Sequence, residues 1–154
     1  MAGKIDARLK ELGITLPDVL APAANYVPYT ISGNLVFVSG QVPRIGDEMI
    51  TGKLGDDADT ETGLKAARYC ALNVIAQVKA ACGGDLDRVT RCLKVGGFVN
   101  GTQDFTDAPK IINGASDVFV DVFGDAGRHA RFAVAAACLP FNVAVEVDAV
   151  FEIS

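Results

Sequence analysis

The chain has 154 residues, half of them hydrophobic and 21% charged, with a formal net charge of −5 and a pI near 4.7. This length and apolar content fit one folded domain with its own core and exclude an intrinsically disordered chain. No apolar run approaches the ~20 residues of a bilayer-spanning helix, and the acidic balance argues against the basic surface with which proteins bind nucleic acid.

The N-terminal segment is expected to add a helix and a connector to the main fold. Lys4–Leu12 has an apolar stripe at helical spacing and ends before Gly13, and Leu16–Pro28 is interpreted as a proline-containing connector. The segment lacks the apolar core of a signal peptide, so we expect a cytoplasmic protein. We expect one domain, with residues 1–25 forming this helix and connector and residues 26–154 forming the core.

The next segment is predicted to be a β-hairpin. Tyr29–Gly40 contains two strand-like runs around Gly33-Asn34, a pair that tolerates the positive φ of a two-residue turn. Pro43 prevents the second strand from continuing. Arg44–Asp57 is rich in turn residues, and a short strand is expected at Glu48–Thr51.

The middle of the chain alternates between helical and strand periods. Thr60–Cys82 places apolar residues at three- and four-residue steps, which predicts a long helix that ends at Gly83-Gly84. Val89–Val99 has strand character, and Gly96-Gly97 within it is interpreted as a bulge. Pro109–Phe123 is predicted to be a second main helix.

Two strands are expected to finish the chain, at Ala130–Cys138 and Val143–Ile153. The second alternates apolar and polar residues, as a strand does when one face of its sheet is buried. The predicted fold class is therefore α+β, with two helices covering one face of a sheet. The other face also carries apolar residues, which predicts that copies of the chain associate through it.

No metal or cofactor is expected from the residue types that could bind one. The cysteines are widely spaced and form no Cys-x-x-Cys pair, and the sequence has a single histidine: Cys70, Cys82, Cys92, Cys138 and His129. Small buried thiols in a reducing compartment explain the cysteines better than a zinc site does. His129 is interpreted as a structural residue at the start of a strand.

Arg131 is the most informative residue of the sequence. It heads a strand of small uncharged residues, and burying an arginine is costly unless an anion pairs with its guanidinium. The planar guanidinium fits a carboxylate through two parallel hydrogen bonds. Two interpretations stay open at this point: a permanent salt bridge with Glu146 or another acid, and a site for a carboxylate ligand.

Three stretches share their spacing with a known signature. They are Arg131, Leu139-Pro140 and Glu146–Ala149; Tyr26, Gly33-Asn34 and Val38–Pro43; and Asn113 within Ile112–Ala115. In combination they resemble the RidA/YjgF family of enamine/imine deaminases, also called L-PSP endoribonuclease-like proteins. The resemblance covers Tyr26–Ile153, most of the chain.

The resemblance implies a chorismate-mutase-like fold, with a single mostly antiparallel sheet under two main helices, that assembles into a homotrimer. It also implies hydrolysis of small 2-enamino or 2-imino acids to 2-keto acids and ammonia in clefts between subunits. In this interpretation Arg131 binds the substrate carboxylate and Glu146 holds the hydrolytic water or acts as acid and base. The implied substrate-binding residues are Tyr26, the Gly40 backbone, Asn113 and Ala133.

The sequence departs from the family pattern in ways that suggest a divergent, longer subgroup. Phe132 replaces a small hydroxyl residue, Ala133 stands where some members have cysteine, and the segment between Asn100 and Arg131 is longer. We expect Phe132 and this segment to reshape the pocket.

Two other functions are considered beside the deaminase. A non-catalytic trimer could bind small carboxylate metabolites through the same arginine. An endoribonuclease is disfavoured by the acidic pI and the single histidine. The expected partners are a small carboxylate-bearing metabolite and further copies of the chain, with no membrane and no nucleic acid.

Overall fold

The computed structural model describes residues 3–19, 21 and 24–154. The helices are α1 (Lys4–Glu11), α2 (Thr60–Ala81) and α3 (Ala108–Phe123). The strands are β1 (Tyr29–Ser32), β2 (Leu35–Gln41), β3 (Arg44–Ile45), β4 (Glu48–Met49), β5 (Val89–Asn100), β6 (Ala130–Ala136) and β7 (Val145–Ile153). Short 3-10 turns occupy Leu86–Arg88, Gly124–Gly127 and Pro140–Asn142. Met1 and Ala2 of the predicted N-terminal segment, and Leu20, Pro22 and Ala23 of the connector, lie outside the described residues.

The main sheet has five strands in the order β1-β2-β7-β5-β6. Its neighbouring strands are antiparallel except for β5 and β6, which run parallel because α3 connects them. This confirms the predicted α+β class and the mostly antiparallel sheet. β3 and β4 form a small separate hairpin, so the short strand expected at Glu48–Thr51 ends earlier, at Met49, and has a partner that the sequence did not predict.

α2 and α3 pack on one face of the sheet and bury its core. In β7 every second residue from Val145 to Ile153 is buried on the helix side, as the predicted alternation requires. Asp59 caps α2 by accepting a hydrogen bond of 2.8 Å from the Thr62 backbone N–H, and Gly83 follows its end with φ 67°. In the described part of the chain, no helix is both long and apolar enough to cross a membrane.

Two adjacent glycines let β5 lie close to its neighbours. A Cβ on Gly97 would come within 2.5 Å of the Ile112 side chain, so only glycine allows α3 to approach the sheet this closely. The interpretation of Gly96-Gly97 as a bulge is wrong, because both residues pair in regular register with Asp148 and Val147. The register shifts of β5 lie nearer its start.

The start of α1 is anchored to the rest of the fold by one carboxylate. Both Asp87 oxygens accept hydrogen bonds of 2.8 Å, from the backbone N–H groups of Lys4 and Ile5 at the start of the helix. These bonds lower the pKa of Asp87. The added helix is thereby fixed through its first turn.

The sheet face away from α2 and α3, here called the open face, carries apolar side chains that are uncovered in one chain. They include Phe37, Phe98, Phe132 and Val134, each 38–46% exposed. Isolated exposed apolar residues are ordinary, but large aromatic side chains on neighbouring strands form a patch that favours association.

Candidate functional site

Arg131 lies near the start of the edge strand β6, on the side that faces α3. Its Nη1 donates to Asn113 Oδ1 at 2.8 Å and to Ser116 Oγ at 3.1 Å, and its Nη2 donates to the Pro109 carbonyl at 3.3 Å. Asn113 and Ser116 are three residues apart and therefore share one face of α3. All of these acceptors are neutral, and Arg131 forms no ion pair with any described residue. Its positive charge is oriented without being neutralised.

His129 belongs to the same hydrogen-bonded chain. Its Nδ1 lies 2.7 Å from the Gly127 carbonyl and its Nε2 lies 2.9 Å from Ser116 Oγ. Burial first, and then the charge of Arg131, lower the pKa of His129 against the opposing bond to Gly127. Because the Gly127 carbonyl can only accept, Nδ1 carries the proton, and the neutral ring accepts at Nε2 from the Ser116 hydroxyl. His129 thus fixes the hydroxyl that accepts a hydrogen bond from Arg131.

Glu146 lies on β7, on the open face of the sheet. Its side chain is half-buried, and burial together with the neighbouring charge of Asp148 raises its pKa. A Cβ on Gly40 would collide with Glu146 Oε1. Gly40, which is one of the predicted site residues, therefore leaves space for the Glu146 carboxylate.

The Glu146 side chain lines a cleft of about 280 Å³, which lies between β2, the β3–β4 hairpin and the Pro140–Asn142 turn. Its lining includes Tyr26, Gly40, Met49, Phe141 and Glu146. The register of β2 against β7 shifts between Val38 and Gln41, which is where the strand passes the cleft. Most of the lining is apolar, a composition typical of small-molecule sites.

The other polar side chains of β2 at the cleft are occupied within the chain. Ser39 Oγ donates to the Val27 carbonyl at 2.7 Å, and Gln41 Nε2 donates to the Ser39 carbonyl at 3.0 Å. The Glu146 carboxylate has no hydrogen-bond partner among the described residues. It is therefore available to a water or ligand in this cleft.

The residues predicted to form one site lie in two places within a single chain. Tyr26, Gly40 and Glu146 line the cleft, whereas Asn113 contacts Arg131 beside α3. The remaining predicted residue, Ala133, follows Arg131 on the helix side of β6, in register with Gly97. Arg131 and Glu146 project from opposite faces of the sheet, so the alternative of a salt bridge between them is wrong within one chain.

Phe132, which the sequence predicts to reshape the pocket, points away from the Arg131 side of β6. Its ring lies on the open face, with its centroid 5.4 Å from that of Phe98 and Lys94 Nζ 5.7 Å away. Gly96 accommodates the ring, since a Cβ there would lie 2.6 Å from Phe132 Cζ. The residue therefore shapes the open face and leaves the guanidinium accessible from the helix side.

The thiols are poorly suited to be nucleophiles. Cys70, Cys82 and Cys92 are buried, and burial raises the pKa of Cys92 to about 12. Cys138 is exposed, so its interpretation as a buried thiol is wrong, and it has no basic partner among the described residues. Within the same residues, no group of three or more His, Cys, Asp or Glu side chains is placed to hold a metal ion.

Sequence reasoning did not identify two residues that shape the site. Ser116 joins Arg131 to His129, and its spacing from Asn113 along α3 is a signal that could have revealed it. Phe141 lines the cleft beside Glu146, and nothing in its sequence context indicates this.

Comparisons with known proteins agree with the fold. Residues 6–153 match the family model described as "YjgF/chorismate_mutase-like, putative endoribonuclease". The chain is 50% identical to Protein TCP17 from Trypanosoma cruzi over 99% of its length and 96% of the relative. It is also 50% identical to the solved Agrobacterium tumefaciens protein Atu1372, of unknown function, with a TM-score of 0.91 over 97% of this chain and 92% of that one. Escherichia coli TdcF, solved with bound serine, is 26% identical with a TM-score of 0.61 over 90% and 93% of the two chains.

Proposed function

Since the chain belongs to the YjgF/chorismate mutase-like family and has its fold, we propose that it hydrolyses small 2-enamino and 2-imino acids to 2-keto acids and ammonia. The observation that carries this proposal is the uncompensated guanidinium of Arg131. Three bonds to neutral acceptors orient it and leave Nε–H and one Nη2–H for a ligand. Such a pair of parallel donors fits a carboxylate.

The reaction requires the protein mainly to position the substrate and a water molecule and to transfer a proton. Protonation of the enamine carbon by solvent gives the iminium ion, whose C2 is electrophilic. Water then adds to C2 while the C=N π electrons move to nitrogen, and Glu146 takes one proton from this water, which leaves a neutral carbinolamine. Glu146 returns that proton to the amino group, and the C–N bond breaks as the hydroxyl proton passes to solvent, which releases ammonia and the 2-keto acid. Its raised pKa suits both steps better than an ordinary carboxylate would.

The two halves of the site require a second copy of the chain. Arg131 and Glu146 lie on opposite faces of one sheet, and the open face carries uncovered aromatic side chains. We infer a homotrimer in which Arg131 of one subunit faces the Glu146 cleft of the next. Covering the open face would also strengthen electrostatic interactions within the cleft, because it removes water.

Two further points support a small amino-acid-like ligand in a reducing compartment. The serine bound to E. coli TdcF is such a ligand in a related protein. The free cysteines fit a cytoplasmic location, where thiols stay reduced.

The direct test generates imines in situ with an amino-acid oxidase and follows 2-keto acid and ammonia release with the purified protein. We expect acceleration over buffer, which Arg131→Lys reduces about tenfold or more through the substrate KM. Arg131→Ala should abolish the acceleration, and light scattering should give the mass of a trimer. The absence of acceleration with any imine would overturn the deaminase proposal. Retained 2-keto acid binding in that case would favour a carboxylate-binding protein instead.

A further inference from the structure

Phe141 combines an exposed ring with a backbone conformation that bulky residues rarely adopt. Its φ is 58° and its ψ is 17°, and the next residue, Asn142, also has a left-handed φ of 59°. The side chain is 69% exposed and lines the Glu146 cleft. A bulky residue persists in this backbone region only where its surroundings hold it there.

Asn142 is the residue through which the turn is held. Its carbonyl accepts a hydrogen bond of 2.9 Å from the Gly52 backbone N–H. Its Oδ1 accepts another of 3.0 Å from Nδ2 of Asn100, which is fully buried at the end of β5. The strained turn is therefore tied to a rigid strand of the core.

The Asn100 amide is itself fully engaged. Its Nδ2 also donates to the Gly52 carbonyl at 3.1 Å, and its Oδ1 accepts from Lys53 Nζ at 2.7 Å. Lys53 Nζ donates in addition to the Ala137 carbonyl, which lies just before the turn. One buried amide thus fixes the loop at Gly52 and the turn at Asn142 relative to each other.

This framework presents an aromatic ring to a cleft whose lining is mostly apolar, although Ser39, Gln41 and Arg44 also contribute to it. The apolar wall is formed by the side chains of Tyr26, Pro28, Val42, Met49 and Pro140. The carboxylate that is free to act, Glu146, lies in the same cleft. A ligand whose reacting carbon is near Glu146 would therefore place its side chain against this apolar wall.

We propose that Phe141 selects the side chain of the ligand, and that the cleft takes 2-imino and 2-keto acids with a bulky apolar side chain, branched or aromatic, in preference to small ones. The proposal rests on the proposed function for its reaction and names the substrate class of the same site. Phe141 is the specificity-determining residue, and Asn142 and Asn100 are positioning residues. Each additional buried methylene in such a pocket can favour a ligand by about tenfold or more.

The test compares Kd values for pyruvate, 2-ketoisocaproate and phenylpyruvate by calorimetry on the full chain. The wild type should bind the two bulky acids at least about tenfold more tightly than pyruvate. Phe141→Ala, which keeps a Cβ and so leaves the backbone strain in place, should bring this ratio close to one by weakening the binding of the two bulky acids. Phe141→Leu should retain the preference for 2-ketoisocaproate. Ile31→Ala, which truncates an exposed apolar side chain outside the cleft, should change nothing.

A second variant tests the positioning role without removing the ring. Asn142→Gly tolerates the left-handed backbone but loses the bond to Asn100, so the preference for bulky acids should fall while pyruvate affinity and the circular dichroism spectrum stay unchanged. A role in folding alone would instead lower stability and leave the preference intact.

The outcomes separate this inference from the deaminase proposal. Equal affinity of the wild type for all three acids, or an unchanged ratio in Phe141→Ala, overturns the selection by Phe141 even if imines are hydrolysed. A clear preference that Phe141→Ala removes, in a protein that hydrolyses no imine, supports the selection and overturns only the catalysis.

Discussion

Glu146 Oε1 occupies the space into which a Cβ on Gly40 would project, so the position of this carboxylate depends on the missing side chain of its neighbour. Gly40→Ala should therefore displace Glu146. Gly40 does not have a positive φ, and the colliding atom is the end of a flexible side chain, so stability should change by less than about 1 kcal/mol. We expect kcat for imine hydrolysis to fall about tenfold or more, measured by steady-state release of 2-keto acid.

A double-mutant cycle shows whether Gly40 acts through the carboxylate. Glu146→Gln alone should lower kcat about 100-fold, because the amide cannot exchange the proton. Adding Gly40→Ala in that background should cost little more. An equal loss in both backgrounds would mean that Gly40 matters through its backbone and not through Glu146.

The pH dependence of turnover should report the raised pKa of Glu146. Glu146 must be ionised to accept a proton from water, so kcat/KM should fall as pH decreases through a pKa above the ordinary glutamate value. Asp148→Asn removes the neighbouring charge that helps to raise this pKa, and the acid limb should move to lower pH. Asp56→Asn, at an exposed site, is the control and should leave the profile in place. Coincident profiles for Asp148→Asn and the wild type would contradict the assigned role of Glu146.

Asn113 should affect ligand affinity through the orientation of Arg131. Asn113→Ala removes the acceptor at 2.8 Å from Nη1 and leaves that nitrogen bonded only to Ser116. We expect Kd for a 2-keto acid to rise about tenfold with little change in kcat, since hydrogen bonds that involve a charged group contribute about 1.5–3 kcal/mol. Asp117→Asn on the same helix serves as the control. Unchanged affinity in calorimetry for Asn113→Ala would show that the bonds to Ser116 and Pro109 orient Arg131 without Asn113.

Gly97 should control both stability and the approach of α3 to the site. Gly97→Ala brings a methyl group within 2.5 Å of Ile112, an overpacking that should lower the free energy of unfolding by about 1–3 kcal/mol in urea titrations. Because α3 carries Asn113, ligand affinity should fall as well. In Gly97→Ala combined with Ile112→Ala, the new methyl group fills space that the isoleucine vacates. The double variant should therefore lose less stability than the sum of the single variants.

The sequence predicted best the elements that depend on periodicity. The long helix was placed at Thr60–Cys82 and is found at Thr60–Ala81, because its apolar spacing and its Asp59 cap are local signals. The alternation along β7 likewise identified its buried residues. Motif spacing also associated Asn113 with Arg131, and these two side chains are in contact.

The features that could not be predicted from the sequence depend on contacts between residues that are distant along the chain. Alternation places Arg131 and Phe132 on opposite faces of β6, but only the packing of α3 decides which of them faces the helix. The β3–β4 hairpin is too short to leave a periodic signal, and the buried Asn73 amide stabilises it by donating to the Arg44 carbonyl at 2.8 Å. The left-handed turn at Phe141 contains no glycine, which is the usual sequence signal for a positive φ. The buried Asn100 amide holds the turn instead, through its hydrogen bond to Asn142.

The strand that carries Arg131, β6, is also an edge strand of the sheet. β6 pairs with β5 on one side, and its other edge is unpaired within the described residues, so a row of backbone donors and acceptors faces outward. Exposed edges of this kind attract unselective pairing and aggregation. In the proposed trimer, dilution that separates the subunits would abolish turnover, and the unpaired edge of β6 would remain a place where the separated chain can pair with other strands.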